Sequence, residues 1–212
     1  MPQAGKAKSL LLLGPTGVGK SPLGDCIEQK GINGSRCLHF DFGHQLRLLG
    51  GHTTPPGGFH ADELFFIREV LAGGLLLENE HFSLAEKIFL SFLCRKSFCE
   101  GDILILNGLP RHAAQAEDME KLADIQTLVI LECTAEEVQK RVEQNVGEDR
   151  VDRDDDSIEM IKKKLAIFER RTAPLVDFYS SRGRSICRLK VTAASTTEDT
   201  YKNFLSLSAF VR

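Results

Sequence analysis

Four consecutive leucines, Leu10 to Leu13, run directly into GPTGVGKS, Gly14 to Ser21. No other stretch limits the possible folds as strongly. An uninterrupted apolar run suits a strand buried on both faces. Lys20 to Lys30 then reads as a helix, with Leu23 and Ile27 four apart on one face. A glycine-rich turn between such a strand and such a helix lets the backbone curl until successive N–H groups converge on one point. The helix N-terminus adds its unpaired donors and its partial positive charge at the same place.

The octapeptide satisfies G-x-x-x-x-G-K-[ST] completely. That pattern predicts a nucleoside triphosphate site made of Gly14, Pro15, Thr16, Gly17, Val18, Gly19, Lys20, Ser21 and Pro22. Lys20 reaches the β and γ phosphates, and the Ser21 hydroxyl is the candidate ligand for Mg²⁺. Pro22 is unusual there. A first helical turn tolerates proline because helix bonding does not use its N–H. An anion site does use those donors, so Pro22 is expected to remove one near the α-phosphate.

Downstream, short apolar runs alternate with helical periodicity. Strands are expected at Cys37–Phe40, Ile103–Leu106, Thr127–Cys133 and Ser185–Val191. Helices are expected from Asp41, which caps one carrying Gln45, Leu46 and Arg47, and over Glu63–Leu71, Leu84–Lys96, Ala135–Gln144 and Thr197–Phe210. A long amphipathic helix is expected over Ser157–Tyr179, kinked near Pro174. AAQAEDMEKLAD reads as helix or turn. The strands are continuous rather than alternating, so the sheet is parallel and covered on both faces. The fold class is therefore α/β, a P-loop nucleoside triphosphate hydrolase-like three-layer sandwich. One domain spans 1–212, with inserted flaps over 42–85 and 146–156.

Composition removes several function classes. A net charge of -3, with no basic block interleaved with aromatics, gives no support for nucleic-acid binding. No segment approaches the roughly 18 apolar residues of a membrane span. The N-terminal apolar run is too short for a targeting signal, which points to the cytoplasm. The six cysteines match no zinc spacing and read as buried free thiols. The loop alone is compatible with a GTPase, a motor or a small-molecule kinase. The guanine-reading N-K-x-D is absent, and a motor usually has a larger chain.

Three further segments narrow the choice. "ILILNGLPRHAAQAEDM" resembles the adenylate kinase segment with an apolar strand, D-G-F-P-R and a following glutamine. "GGLLLENE" and "RRTAPLVDFYSSRG" resemble two more segments of that family, in the family's order. With "GPTGVGKS", the whole chain resembles a nucleoside monophosphate kinase of the short-lid adenylate kinase type. The resemblance implies ATP-dependent phosphoryl transfer to a nucleoside monophosphate by a monomer. It implies that 42–85 binds the acceptor and that 146–156 is a short lid. It assigns Arg47, Arg111 and Gln115 to the acceptor, the last to its base. It assigns Lys20, Arg141, Arg150, Arg153 and Lys164 to the transferring phosphates, with Arg150 and Arg153 as alternatives for one lid position.

Several positions depart from the family's pattern. Asn107 stands where the family has an aspartate that helps hold the water shell of Mg²⁺. The threonine of T-G-D is missing before Arg47. Asn145 and Lys164 stand where arginines are expected, and lysine keeps the charge without the planar fork. These losses keep two alternatives open: a catalytically weakened nucleotide-binding regulator or scaffold, and a kinase of a non-nucleotide small molecule.

Overall fold

A computed structural model describes residues 6–74, 77–144 and 158–207. Its centre is a five-stranded sheet in the order β2-β3-β1-β4-β5. The strands are β1 (Ala7–Leu13), β2 (Cys37–Asp41), β3 (Ile103–Asn107), β4 (Ala123–Glu132) and β5 (Ser185–Lys190), and every pairing is parallel. Helices cover both faces, giving the three-layer P-loop sandwich. They are α1 (Lys20–Lys30), α2 (Phe42–Gly50), α3 (Ala61–Gly73), α4 (Phe82–Arg95), α5 (Ala113–Leu122), α6 (Ala135–Glu143), α7 (Ile158–Ile167), α8 (Leu175–Ser180) and α9 (Thr197–Leu207).

The leucine run shows why the strands are continuously apolar. Successive side chains point to opposite faces. Leu11 and Leu13 enter one core with Phe40, Phe89 and Leu106. Leu10 and Leu12 enter the other with Leu23 and Ile27 of α1 and Phe204 of α9. In the first core, Phe40 meets Phe89 and Phe92 edge-on, with centroids 5.2 and 5.1 Å apart. A helix layer on each face leaves no polar side for an alternating pattern to mark.

Three departures from the sequence expectation have a cause visible in the structure. β4 starts at Ala123 rather than Thr127, because a bulge interrupts its pairing with β1. Ser9 pairs with Ile125 and Leu10 with Thr127, so Gln126 has no partner on β1 and breaks the apolar run. The expected 157–179 helix changes form at Phe168–Thr172, a π-helical turn closed by Ala173 N–H to the Phe168 carbonyl at 2.9 Å. Pro174 collides with the carbonyl four residues earlier in a regular α-helix, and the wider turn contains that residue, Arg170. α3 begins at Ala61, two residues early, because the Glu63 side chain reaches back 2.7 Å to the His60 N–H.

The six cysteines are free thiols, but Cys94 and Cys99 are exposed, against the expectation that all are buried. Cys94 lies in the last turn of α4 and Cys99 in the connection to β3, both beyond the two cores. Among the described residues no helix is long and apolar enough to cross a membrane. The expected lid, 146–156, with Arg150, Arg153 and Asn145, lies outside the described residues.

Candidate active site

The C-terminal ends of β1, β2 and β3 lie side by side, and the segments leaving them wall a cavity of about 190 Å³. An open parallel sheet collects ligands at this edge, because chain direction brings helix N-termini and loop amides there. The glycine loop supplies Gly14, Thr16, Gly17, Gly19, Lys20 and Ser21. The segment after β2 supplies Gly43, Leu46 and Arg47 from α2 and Val70 and Leu71 from α3. The exit of β3 supplies Asn107, Gly108, Pro110 and Arg111. Lys164 and Ile167 of α7, with Phe168 and Thr172 of the π-helical turn, complete the wall.

The glycine loop is fixed from beneath. A Cβ on Gly14, whose φ is 148°, would stand 2.8 Å from the Leu131 carbonyl and 2.9 Å from Val18 Cγ1. Val18 is itself fully buried, so its side chain anchors the loop to the core. Lys20 Nζ donates to the Gly14 and Pro15 carbonyls at 2.7 Å each, which holds the ammonium against the loop. Pro22 is buried in the first turn of α1, outside the cavity lining. The Leu23 N–H already reaches the Gly19 carbonyl at 3.1 Å, so the helix loses no bond to the proline.

Ser21, Asp41 and Asn107 meet at one point of the wall. The Ser21 hydroxyl donates to Asp41 Oδ2, and Asn107 Nδ2 donates to the same oxygen at 2.9 Å. Asp41 Oδ1 accepts the His44 N–H at 2.9 Å and so caps α2. Burial pushes the Asp41 carboxyl up. The charge of His39, the Ser21 hydroxyl, the His44 amide and Arg47 outweigh that and hold it below its usual value. Read from the sequence, this residue has only a capping role. The available signal was its position, an acid closing an apolar run, as Asn107 closes the run of β3.

Of the residues expected at the site, the cavity gathers Lys20, Ser21, Arg47, Arg111 and Lys164. Arg111 Nε donates to the Gly108 carbonyl at 2.9 Å, and its own carbonyl accepts from Thr172 Oγ1 at 2.9 Å, which ties the β3 exit to the π-helical turn. Among the described residues the lining carries four basic side chains, Lys20, Arg47, Arg111 and Lys164, and one acid, Asp41. Such a balance suits phosphate groups. Among the described residues no three His, Cys, Asp or Glu side chains cluster as a metal cage. The Ser21 hydroxyl and Asp41 carboxylate are instead hard oxygens that fit Mg²⁺, which keeps much of its water and takes other ligands from phosphate.

Two residues that the resemblance assigns to the substrates are placed elsewhere, and Pro15, Val18 and Pro22 of the glycine loop also lie outside the lining. Gln115 is 1% exposed and does not line the cavity. Its Oε1 accepts the Arg111 N–H at 2.9 Å and its Nε2 donates to the Leu77 carbonyl at 2.7 Å. Instead of facing an acceptor base, it braces the arginine loop, because both ends of its amide are bound to backbone. Arg141 is also buried outside the lining, with Nη1 donating to the Thr192 and Ser195 carbonyls at 2.6 and 2.9 Å. It lies beside the glycine loop, with Nη2 3.1 Å from where a Cβ on Gly19 would stand.

No family model matches the sequence. Individual relatives do. A probable UMP-CMP kinase 1 of Arabidopsis thaliana is 26% identical over 211 residues, covering 95% of this chain and 88% of the relative. An adenylate kinase of Prochlorococcus marinus is 28% identical over 181 residues, 82% of this chain and 84% of its own. An adenylate kinase of Phocaeicola vulgatus is 30% identical over 182 residues, 83% of this chain and 86% of its own. Likeness at that level across most of both chains, together with a parallel-sheet fold whose glycine loop opens on the basic cavity, means that the chain belongs to the adenylate kinase family.

Proposed function

We propose that the protein transfers the γ-phosphoryl group of ATP to a nucleoside monophosphate, reversibly, giving two diphosphates. The carrying observation is that Lys20 and Ser21, at the end of the glycine loop, share one cavity with Arg47 and Arg111. Membership among the nucleotide kinases supports the same reading.

In this reading the glycine loop holds the β and γ phosphates through backbone N–H groups and Lys20. Arg47 and Arg111 hold the acceptor phosphate, since guanidinium groups stay protonated and bind phosphate through paired donors. The acceptor's phosphate oxygen bonds to the γ-phosphorus while the bond to the β–γ bridging oxygen breaks, and that oxygen leaves on ADP. Lys164, on the opposite wall, places positive charge where the equatorial oxygens of the moving group gather it. Mg²⁺, when bound with the nucleotide, supplies further neutralisation of phosphate charge. Ser21 and Asp41 are the residues that would hold it. Val70, Leu71, Ile167 and Phe168 give the cavity apolar surface that limits water, whose attack would waste the phosphoryl group.

A coupled assay with ATP and AMP, CMP, UMP or GMP tests this. Turnover with at least one acceptor, abolished by Lys20→Ala, is the expected result. No turnover above the Lys20→Ala background with any acceptor overturns it. One observation favours a second reading, a kinase of a non-nucleotide phosphate acceptor: the base-reading candidate Gln115 is sequestered behind the arginine loop. Two adenosines joined by five phosphates separate the readings. Tight binding supports the nucleotide acceptor, and binding no tighter than ATP supports the other.

A further inference from the structure

The end of β3 closes on an amide, Asn107, where a magnesium-nucleotide site calls for a carboxylate. The adjacent strand supplies one. In the β2–β3 register Asp41 lies directly opposite Asn107, and both line the cavity beside Ser21. Their hydrogen bonds have a fixed direction. Asn107 Nδ2 donates to Asp41 Oδ2 at 2.9 Å, and the Ser21 hydroxyl donates to the same oxygen. A serine hydroxyl has one proton and two lone pairs; giving the proton to Asp41 and accepting Asn107 Nδ2 at 3.2 Å on one lone pair leaves the other for a cation.

The arrangement also explains why residue 107 is an amide. Asn107 is 4% exposed. An aspartate there would put two carboxylates at hydrogen-bond distance in a buried setting, where one would have to take up a proton. One carboxylate and one amide satisfy each other. The negative charge has moved by one strand, and the neighbouring strand end has become its hydrogen-bond donor.

We propose that Asp41 is the carboxylate that holds the water shell of the Mg²⁺ accompanying the nucleotide, and that Asn107 is the positioning residue that aims it. The inference rests on the nucleotide-binding reading above. It makes the loss of the aspartate at 107 a relocation.

Calorimetric titration with ATP, in Mg²⁺ and in excess EDTA, tests it without requiring turnover. Asp41→Asn keeps a good helix cap, because asparagine caps about as well as aspartate, and Asp41→Ser does the same. Both variants are expected to lose about tenfold or more of the affinity gained from Mg²⁺ and to bind metal-free ATP as the wild type does or better. The exchange Asp41→Asn with Asn107→Asp returns the carboxylate to the other strand with its amide partner and is expected to recover most of the gain. Thermal melts of each variant confirm that the fold is intact. An unchanged Mg²⁺ gain in both single variants overturns the proposal, as does an equal loss with and without metal. Failure of a folded exchange variant to recover overturns the relocation. A wild type that binds no ATP in either buffer overturns the nucleotide reading and this inference with it.

Discussion

Helix α1 carries Lys20 and Ser21 at its start, and its seating on β2 depends on the absence of a side chain at Gly24. A Cβ there would stand 2.3 Å from Nε2, 2.4 Å from Cδ2 and 2.5 Å from Cε1 of His39. Atoms in ordinary contact sit about 3.5–4.0 Å apart, so Gly24→Ala requires a displacement of roughly 1 Å or more. His39 has little freedom to give way. It is 5% exposed, and its Nδ1 is 2.8 Å from Asp25 Oδ1 on the same helix. Overpacking a core contact costs about 1–3 kcal/mol, and three ring atoms at 2.3, 2.4 and 2.5 Å put this site in the upper half of that range. The better helix propensity of alanine returns up to about 1 kcal/mol. The net expectation is a destabilisation of about 1–2 kcal/mol, or a fall of roughly 2–8 °C in Tm for a chain of this size. Because Ser21 lies one turn before Gly24, withdrawal of α1 also weakens the Ser21–Asp41 contact, so ATP affinity should fall with Tm. Differential scanning calorimetry and ATP titration measure both. Gly24→Ala combined with His39→Ala should cost less than the sum of the single changes, because the added methyl then fills the space the ring leaves. A Gly24→Ala protein as stable as the wild type refutes the reasoning, since propensity would then outweigh the contact.

Four further outcomes follow from the same geometry. Gln115→Leu leaves the Arg111 amide and the Leu77 carbonyl without their partner, so Tm should fall by several degrees while the ranking of acceptors is unchanged; a new ranking at unchanged Tm would return Gln115 to the acceptor base. Lys164→Arg adds a planar fork at the cavity wall and should raise kcat more than it changes KM, and equal or lower kcat in steady-state assays counts against a role in transfer. Pro22→Thr restores a backbone donor and should tighten ATP binding about tenfold by calorimetry, whereas unchanged affinity would show that the loop makes the contact elsewhere. Burial and, after it, the Arg171 charge lower the pKa of His112 against the pull of Glu78 and the Leu77 carbonyl, so the unfolded chain takes up this proton first. That contribution to stability is complete above the ordinary histidine value of about 6.5 and is lost as pH falls through the lower folded value, so Tm should drop between pH 7 and 5, less steeply in His112→Asn.

The parts of this molecule legible in the sequence are those whose cause is local. Leu10–Leu13 specify a doubly buried strand because each leucine answers to its own face, and the glycine loop follows them without a break. The β4 bulge at Gln126 arises from pairing with β1 and hid the start of its strand, whereas the π-helical turn at Phe168–Thr172 answers to Pro174 just beyond it, where the sequence already predicts a kink. The same division runs through the site. Lys20, Ser21, Arg47, Arg111 and Lys164 reach one cavity because each lies on a helix or strand exit that the sheet order brings to the same edge. Gln115 matches the pattern by position, yet its partners are a loop carbonyl at Leu77 and the Arg111 amide, and together they hold its amide away from the cavity. Asp41 shows the converse. Nothing within a few residues of it points beyond a helix cap, and its second oxygen acquires its partners only when the fold brings Asn107 of β3 and Ser21 of α1 beside the end of β2. A motif compared position by position records Asn107 as a missing charge. A parallel sheet makes strand ends equivalent neighbours, so the unit that carries the charge is the pair 41 and 107, and within that pair the carboxylate is still present.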